Sequence, residues 1–194
     1  RYPEALLQLA EAVRLVRKKA REWYIMEDAV VVQGSSAGGH LAACLGVFWK
    51  KDFLLERLAC GSEEIRPNRL ILSYPVISAG EYIHEGSFRN LLGEDWEQRK
   101  DFFSLEEQIS KDTPPSFLWH TASDASVPAE NSLLFLSGLR RYKIPVEFHL
   151  YEAGAHGMGT AGPLSMDAHG GGVQKECENW MELACNWLHR QWEF

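Results

Sequence analysis

Three residues in this chain have the types, order and settings that acyl transfer requires: Ser36, Asp124 and His156. A serine hydroxyl is a weak nucleophile near neutral pH. It needs a histidine to take its proton and a carboxylate to fix that histidine's tautomer and orientation. Ser36 sits in Gly34-Ser35-Ser36-Ala37-Gly38-Gly39, behind the β-branched run 30–32 and ahead of the apolar, helix-spaced residues 41–45. That is the strand, turn, helix setting of a nucleophile elbow. Such a turn crowds its own backbone, so Gly34 and Gly38 are expected where a Cβ would collide, with the strained central side chain pushed outward. Ala37 opens the helix, and its amide, at the positive end of the helix dipole, is the expected oxyanion donor. The same letters also fit a plain turn in which Ser35 or Ser36 caps the helix.

Asp124 follows the third apolar strand pattern, in Thr121-Ala122-Ser123-Asp124-Ala125-Ser126-Val127-Pro128. Turn formation or helix capping is its alternative role. His156 follows the fourth, in Gly154-Ala155-His156-Gly157, where the flanking glycines are expected to let the loop swing the imidazole over the elbow. The other histidines fit less well. His120 and His149 fall inside strands, His40 should pack the start of its helix, and His84, His169 and His189 lie in loops or near the chain's end. None shows ligand spacing such as HExxH, so no metal site is expected.

The elements that must position these groups alternate. Besides the elbow strand, residues 69–76, 117–122 and 146–151 read as strands, the last with the clearer alternation of a strand near an edge. Helical spacing covers 3–23, 41–58, 127–142 and 173–190. The first helix should bury Leu6, Leu9, Ala10, Val13, Val16 and Ala20 and leave Arg14, Arg17, Lys18 and Arg21 on a solvated face. The last should bury Val173, Cys177, Trp180, Met181, Ala184, Trp187 and Leu188. Strands alternating with helices imply a mostly parallel sheet covered on both faces, with any site at the strands' carboxyl ends. Residues 77–115 break the rhythm and read as an insertion of loops and short helices, either roofing a pocket or making a surface excursion with buried anchors.

At 194 residues, with 45% hydrophobic and 24% charged side chains, the chain suits one soluble domain. Its net charge of -7 argues against nucleic acid or anionic membrane as a partner. No apolar run approaches the roughly 20 residues of a spanning helix. Cys44, Cys60, Cys177 and Cys185 form neither a CxxC pair nor a dense framework, so a reducing, cytoplasmic setting is the expectation.

The order Ser36, Asp124, His156 resembles that of the α/β-hydrolases, and within them the acetyl-esterase and carbohydrate-esterase (xylanase-like esterase) branch. The resemblance rests on Arg1-Tyr2-Pro3, Gly34 to His40, Ser73-Tyr74-Pro75-Val76 and Leu91-Leu92-Gly93. It continues through Thr113 to Thr121, Val127-Pro128-Ala129-Glu130-Asn131-Ser132, Gly154-Ala155-His156-Gly157 and Trp180 to Leu188. It implies a three-layer α/β fold that hydrolyses short acyl esters, often acetyl groups on sugars, without metal or cofactor. It also implies a glycine-rich loop, often His-Gly-Gly-Gly, whose amide is the second oxyanion donor and whose place is upstream of Arg1. By this resemblance several strands precede Arg1, and residues 1–194 form the C-terminal two-thirds of a single domain whose first strand has an unpaired edge. His169-Gly170-Gly171-Gly172 matches the letters of that loop but comes after His156 and reads as a connector. An oligopeptidase-like serine hydrolase and a non-catalytic, degenerate hydrolase domain are the alternatives.

Overall fold

Four short strands, β1 (Val31–Ser35), β2 (Arg69–Ser73), β3 (Ser116–Thr121) and β4 (Val146–Tyr151), pair in chain order, every pair parallel. The structure is a computed structural model and describes residues 1–192. The helices are α1 (Glu4–Lys18), α2 (Ala37–Phe48), α3 (Asp52–Leu58), α4 (Ser62–Ile65), α5 (Glu85–Leu92), α6 (Trp96–Arg99), α7 (Glu130–Arg141) and α8 (Trp180–Gln191). A parallel pair needs a long crossover, and each of these crossovers carries at least one helix. β4 lies at one margin, as its alternation suggests, and among the described residues β1 has no partner on its other edge.

The pleat sorts the strand side chains into two cores. Leu70, Leu72 and Leu118 point to one face and pack with Leu6, Ala10 and Val13 of α1, the apolar residues of α2, and Phe135 and Leu139 of α7. Ile71, Phe117 and Trp119 point to the other and meet Trp180, Ala184 and Trp187 of α8. The result is a three-layer α/β arrangement. Burying each large apolar side chain in these layers contributes about 1.5–3 kcal/mol, so neither layer is dispensable.

Three expectations need correction. First, α1 stops at Lys18 and a turn carries the chain on, with Tyr24 in the left-handed region at φ 55°. The Arg17 guanidinium is only partly solvated: it donates to the carbonyls of Glu27 and Arg66 and to Asn68 Oδ1, anchoring that turn to the strand entry. Second, residues 41–58 are two helices, because the chain turns at Trp49–Lys51 and Asp52 restarts it. Trp49 is drawn aside, its indole N–H donating to the Asp112 carbonyl at 2.9 Å. Third, the final helix begins only at Trp180, after a short 3₁₀ turn at Lys175–Cys177. Val173 and Met181, expected on its buried face, are exposed. Cys44 and Cys177 are buried, Cys185 is exposed, and all four cysteines are free.

The segment 77–115 lies between β2 and β3 and holds α5, α6 and two 3₁₀ turns. Phe88, Leu92, Trp96, Phe103, Leu105 and Ile109 anchor it in the larger core. With α1 and α2 it encloses a cavity of ≈ 240 Å³ whose wall includes Ala37, His40, Leu41 and Phe88. Among the described residues no helix is long and apolar enough to cross a membrane.

Candidate active site

Ser36 is the hinge between β1 and α2 and has φ 56°, ψ -123°, a conformation that side-chain-bearing residues rarely adopt. Hydrogen bonds hold that strained backbone on both sides: the Ser36 amide donates to the Ser73 carbonyl at 3.0 Å, and the Ser36 carbonyl accepts from the Val76 amide at 3.1 Å. The Ser36 side chain makes no capping hydrogen bond to α2. Its hydroxyl instead lies 2.7 Å from His156 Nε2. As the first residue of α2, Ala37 has no i-4 helical carbonyl for its N–H, which leaves that amide at the exposed, positive end of the helix.

The small residues of the turn do not all have the reason expected of them. A Cβ on Gly34 would stand 2.1 Å from the Gly38 carbonyl oxygen, and one on Gly39 would stand 2.7 Å from Pro75 Cβ. A Cβ on Gly38 would meet nothing within 4 Å. The crowding is where the strand passes under the helix start and where the helix passes the end of β2, and Gly38 faces open space.

Asp124 ends the turn after β3 and does two things at once. Its Oδ1 accepts from the amides of Ser126 and Val127 at 2.9 and 3.0 Å, shaping the turn into α7. Its Oδ2 lies 2.6 Å from His156 Nδ1. Burial opposes its ionisation. The neighbouring His120 and His156 imidazoles and hydrogen bonds from the amides of Val127 and Ser126 outweigh that and hold the carboxyl well below the usual carboxylate range. The carboxylate therefore fixes Nδ1 of His156 as the donor and leaves Nε2 facing Ser36 as an acceptor.

The loop that carries His156 is hydrogen-bonded at both ends. Gly157 has φ 80°, which favours glycine. At one end the Gly154 carbonyl accepts from the hydroxyls of Thr121 and Ser123 at 2.9 and 3.1 Å, and its amide donates to Ser123 Oγ at 3.0 Å. At the other end the Gly159 amide donates to the Tyr74 hydroxyl and the Gly159 carbonyl accepts from the Trp180 indole, both at 3.0 Å. Tyr74, itself in the left-handed region at φ 37°, sets its ring edge-on to His156 and to Trp119, with centroids 5.0 Å away in both cases. Trp119 stacks on Trp180 at 5.1 Å. Sequence reasoning missed Tyr74 and Trp180 as supports. They appear in matching stretches, yet no spacing rule links residues 85 and 21 positions from Gly159.

The remaining histidines sit elsewhere. His40 is buried in the start of α2, its Nε2–H donating to the Phe103 carbonyl at 3.0 Å. His84 caps α5, accepting from the Ser87 amide. The His169 amide and the Gly171 amide both donate to Asp167 Oδ1, so the His-Gly-Gly-Gly letters form a local turn. Among the described residues, no group of three or more His, Cys, Asp or Glu could hold a metal ion.

The BD-FAE family model matches residues 1–139. This chain belongs to the BD-FAE family. The endo-1,4-beta-xylanase B of Butyrivibrio fibrisolvens is 38% identical over 174 residues, 88% of this chain and 27% of that protein. The acetylxylan esterase of Xylanibacter ruminicola is 30% identical over 155 residues, 77% of this chain and 30% of that protein. Among solved structures, the acetyl ester-xyloside bifunctional hydrolase of Caldicellulosiruptor lactoaceticus superposes with a TM-score of 0.82 at 36% identity, covering 98% of this chain and 66% of that one. The chain thus spans less than a third of these two curated relatives and about two-thirds of the solved one. As a BD-FAE member it has the α/β-hydrolase fold, in the branch that its motifs resemble.

Proposed function

We propose that this BD-FAE chain is the catalytic part of a serine esterase that cleaves short-chain acyl esters, acetyl groups on saccharides in particular. The observation that carries the reading is the unbroken relay from Ser36 Oγ to His156 Nε2 at 2.7 Å and from His156 Nδ1 to Asp124 Oδ2 at 2.6 Å. Relatives named as acetylxylan esterase and acetyl ester-xyloside hydrolase support the acetyl and saccharide elements of the reading.

In this reading Ser36 Oγ attacks the ester carbonyl as His156 Nε2 accepts its proton, and Asp124 stabilises the imidazolium. The tetrahedral oxyanion is held by the Ala37 amide at the positive end of α2, and a second donor, assigned by the resemblance to the segment upstream of Arg1, completes the hole. His156 then returns the proton to the leaving alcohol, giving an acyl-enzyme on Ser36. Water attacks that acyl group as His156 takes its proton, and His156 passes that proton to Ser36 Oγ as the acid departs, restoring the free hydroxyl. The 77–115 insertion is part of the same domain, residues 1–194, in this account.

The test is hydrolysis of p-nitrophenyl acetate and of an acetylated xylo-oligosaccharide by the native-length polypeptide and its Ser36→Ala variant. The reading expects kcat to fall by a factor on the order of a thousand or more, as when such a nucleophile is removed. Equal rates would remove Ser36 from the chemistry, and activity confined to peptide amides would replace an esterase with a peptidase.

A further inference from the structure

His120 is fully buried in β3, four residues before Asp124, and the relay above does not use it. Its surroundings fix its tautomer. Nε2 stands 3.0 Å from the carbonyl oxygen of Val127, which can only accept, so Nε2 carries the hydrogen. Nδ1 stands 2.8 Å from the hydroxyl of Ser132 on α7, which donates to it. The same Nε2 is 3.4 Å from Asp124 Oδ2, the carboxylate oxygen that faces His156. Both side chains are almost wholly shielded from solvent, at 0% and 1% exposure, which leaves little room for water to serve that oxygen.

We propose that His120 is a positioning residue for the acid of the relay, its Nε2–H shared between the Val127 carbonyl and Asp124 Oδ2. Shared hydrogen bonds of this kind are common where one donor faces two acceptors. Asp124 is then fixed at both oxygens. Oδ1 is held by the backbone amides of Ser126 and Val127, and Oδ2 is held between two imidazole N–H groups, one from His120 and one from His156. Ser132 extends the support into α7, so the strand and the helix flanking the Asp124 turn both contribute to its aim. Without the His120 N–H, the carboxylate would be free to rotate about its Oδ1 contacts and the hydrogen bond to His156 would lose its direction. The inference rests on the proposed roles of Asp124 and His156.

The experiment uses the native-length polypeptide and three variants, Asp124→Asn, His120→Phe and His120→Gln, assayed on p-nitrophenyl acetate. Proton NMR of the His156 Nδ1–H signal accompanies the kinetics. Asp124→Asn comes first: wild-type kcat in that variant would end the relay reading itself, independently of His120. With that reading standing, His120→Phe should lower kcat about tenfold at nearly constant KM, within the roughly hundredfold that misplacing a catalytic group by about 1 Å costs. The low-field His156 signal should move or broaden in the same variant. His120→Gln, whose amide can restore a donor near the Nε2 position, should recover most of both. A folded His120→Phe with wild-type kcat, or one whose rate falls while the low-field signal is unchanged, would overturn the inference. If His120→Phe does not fold, the Nε2–H resonance of His120 decides the matter. It should shift on Asp124→Asn, and an unmoved resonance would show that the two groups are not coupled.

Discussion

The Tyr74 hydroxyl accepts the amide hydrogen of Gly159 at 3.0 Å, and the Gly159 carbonyl accepts the Trp180 indole N–H at the same distance. One peptide segment three residues beyond His156 is therefore gripped from the residue just after β2 and from α8. Tyr74→Phe removes one hydrogen bond and leaves the ring against His156, so the fold should lose only about 1 kcal/mol. Turnover on p-nitrophenyl acetate should fall several-fold through kcat with KM almost unchanged, because the His156 loop is loosened and the substrate surface is not. An unchanged kcat in Tyr74→Phe and Trp180→Phe alike would mean that the clamp does not govern the imidazole.

Two glycines that look equivalent in the sequence should behave oppositely. Gly34→Ala places a Cβ 2.1 Å from backbone, where neither the strand end nor the helix start can yield without moving Ser36. Loss of several kcal/mol, or failure to fold, is expected by thermal denaturation. Gly38→Ala meets nothing within 4 Å, sits near the start of α2 and should leave the melting temperature the same or raise it, since alanine favours helix by up to about 1 kcal/mol over glycine.

Acid should weaken this protein in two windows. Burial pushes the His40 imidazole down to about 4, against the upward pull of its hydrogen bond to the Phe103 carbonyl. The unfolded chain binds a proton at this residue from about pH 6.5 downward while the folded chain resists it, so stability falls with pH between those values. By pH 5 the loss is on the order of 2 kcal/mol relative to pH 7.5. Asp124 works lower down: its carboxyl is held below the usual range, so its stabilisation is present above about pH 4 and fades as pH falls further. Urea titrations at pH 7.5 and 5 measure the first window. His40→Gln should flatten it, and an undiminished pH dependence in that variant would assign it to other groups.

Much of this architecture was legible because parallel strands announce themselves as short apolar runs. The runs read at 69–76, 117–122 and 146–151 correspond to the strands Arg69–Ser73, Ser116–Thr121 and Val146–Tyr151, the first ending three residues early, and Asp124 and His156 follow the carboxyl ends of the last two as such sheets require. The boundaries were less legible where tertiary contacts override periodicity. Trp49 bends away to reach Asp112, and the apolar spacing from Val173 onward continues through a 3₁₀ turn that is not part of α8. The support of His156 could not be read at all. Tyr74, Gly159 and Trp180 meet only because β2 and α8 converge on one loop, and nothing in local spacing encodes that meeting. Gly38 shows the opposite failure: a motif assigned a steric reason to a residue with space around it.

The most direct test of the central claim is the site and rate of labelling by a small fluorophosphonate, read by peptide mapping of the native-length polypeptide and of His156→Gln. The account requires one adduct, on the peptide that carries Ser36, formed at least a hundredfold more slowly when the imidazole is gone. An adduct on another residue, or a labelling rate indifferent to His156, would contradict it.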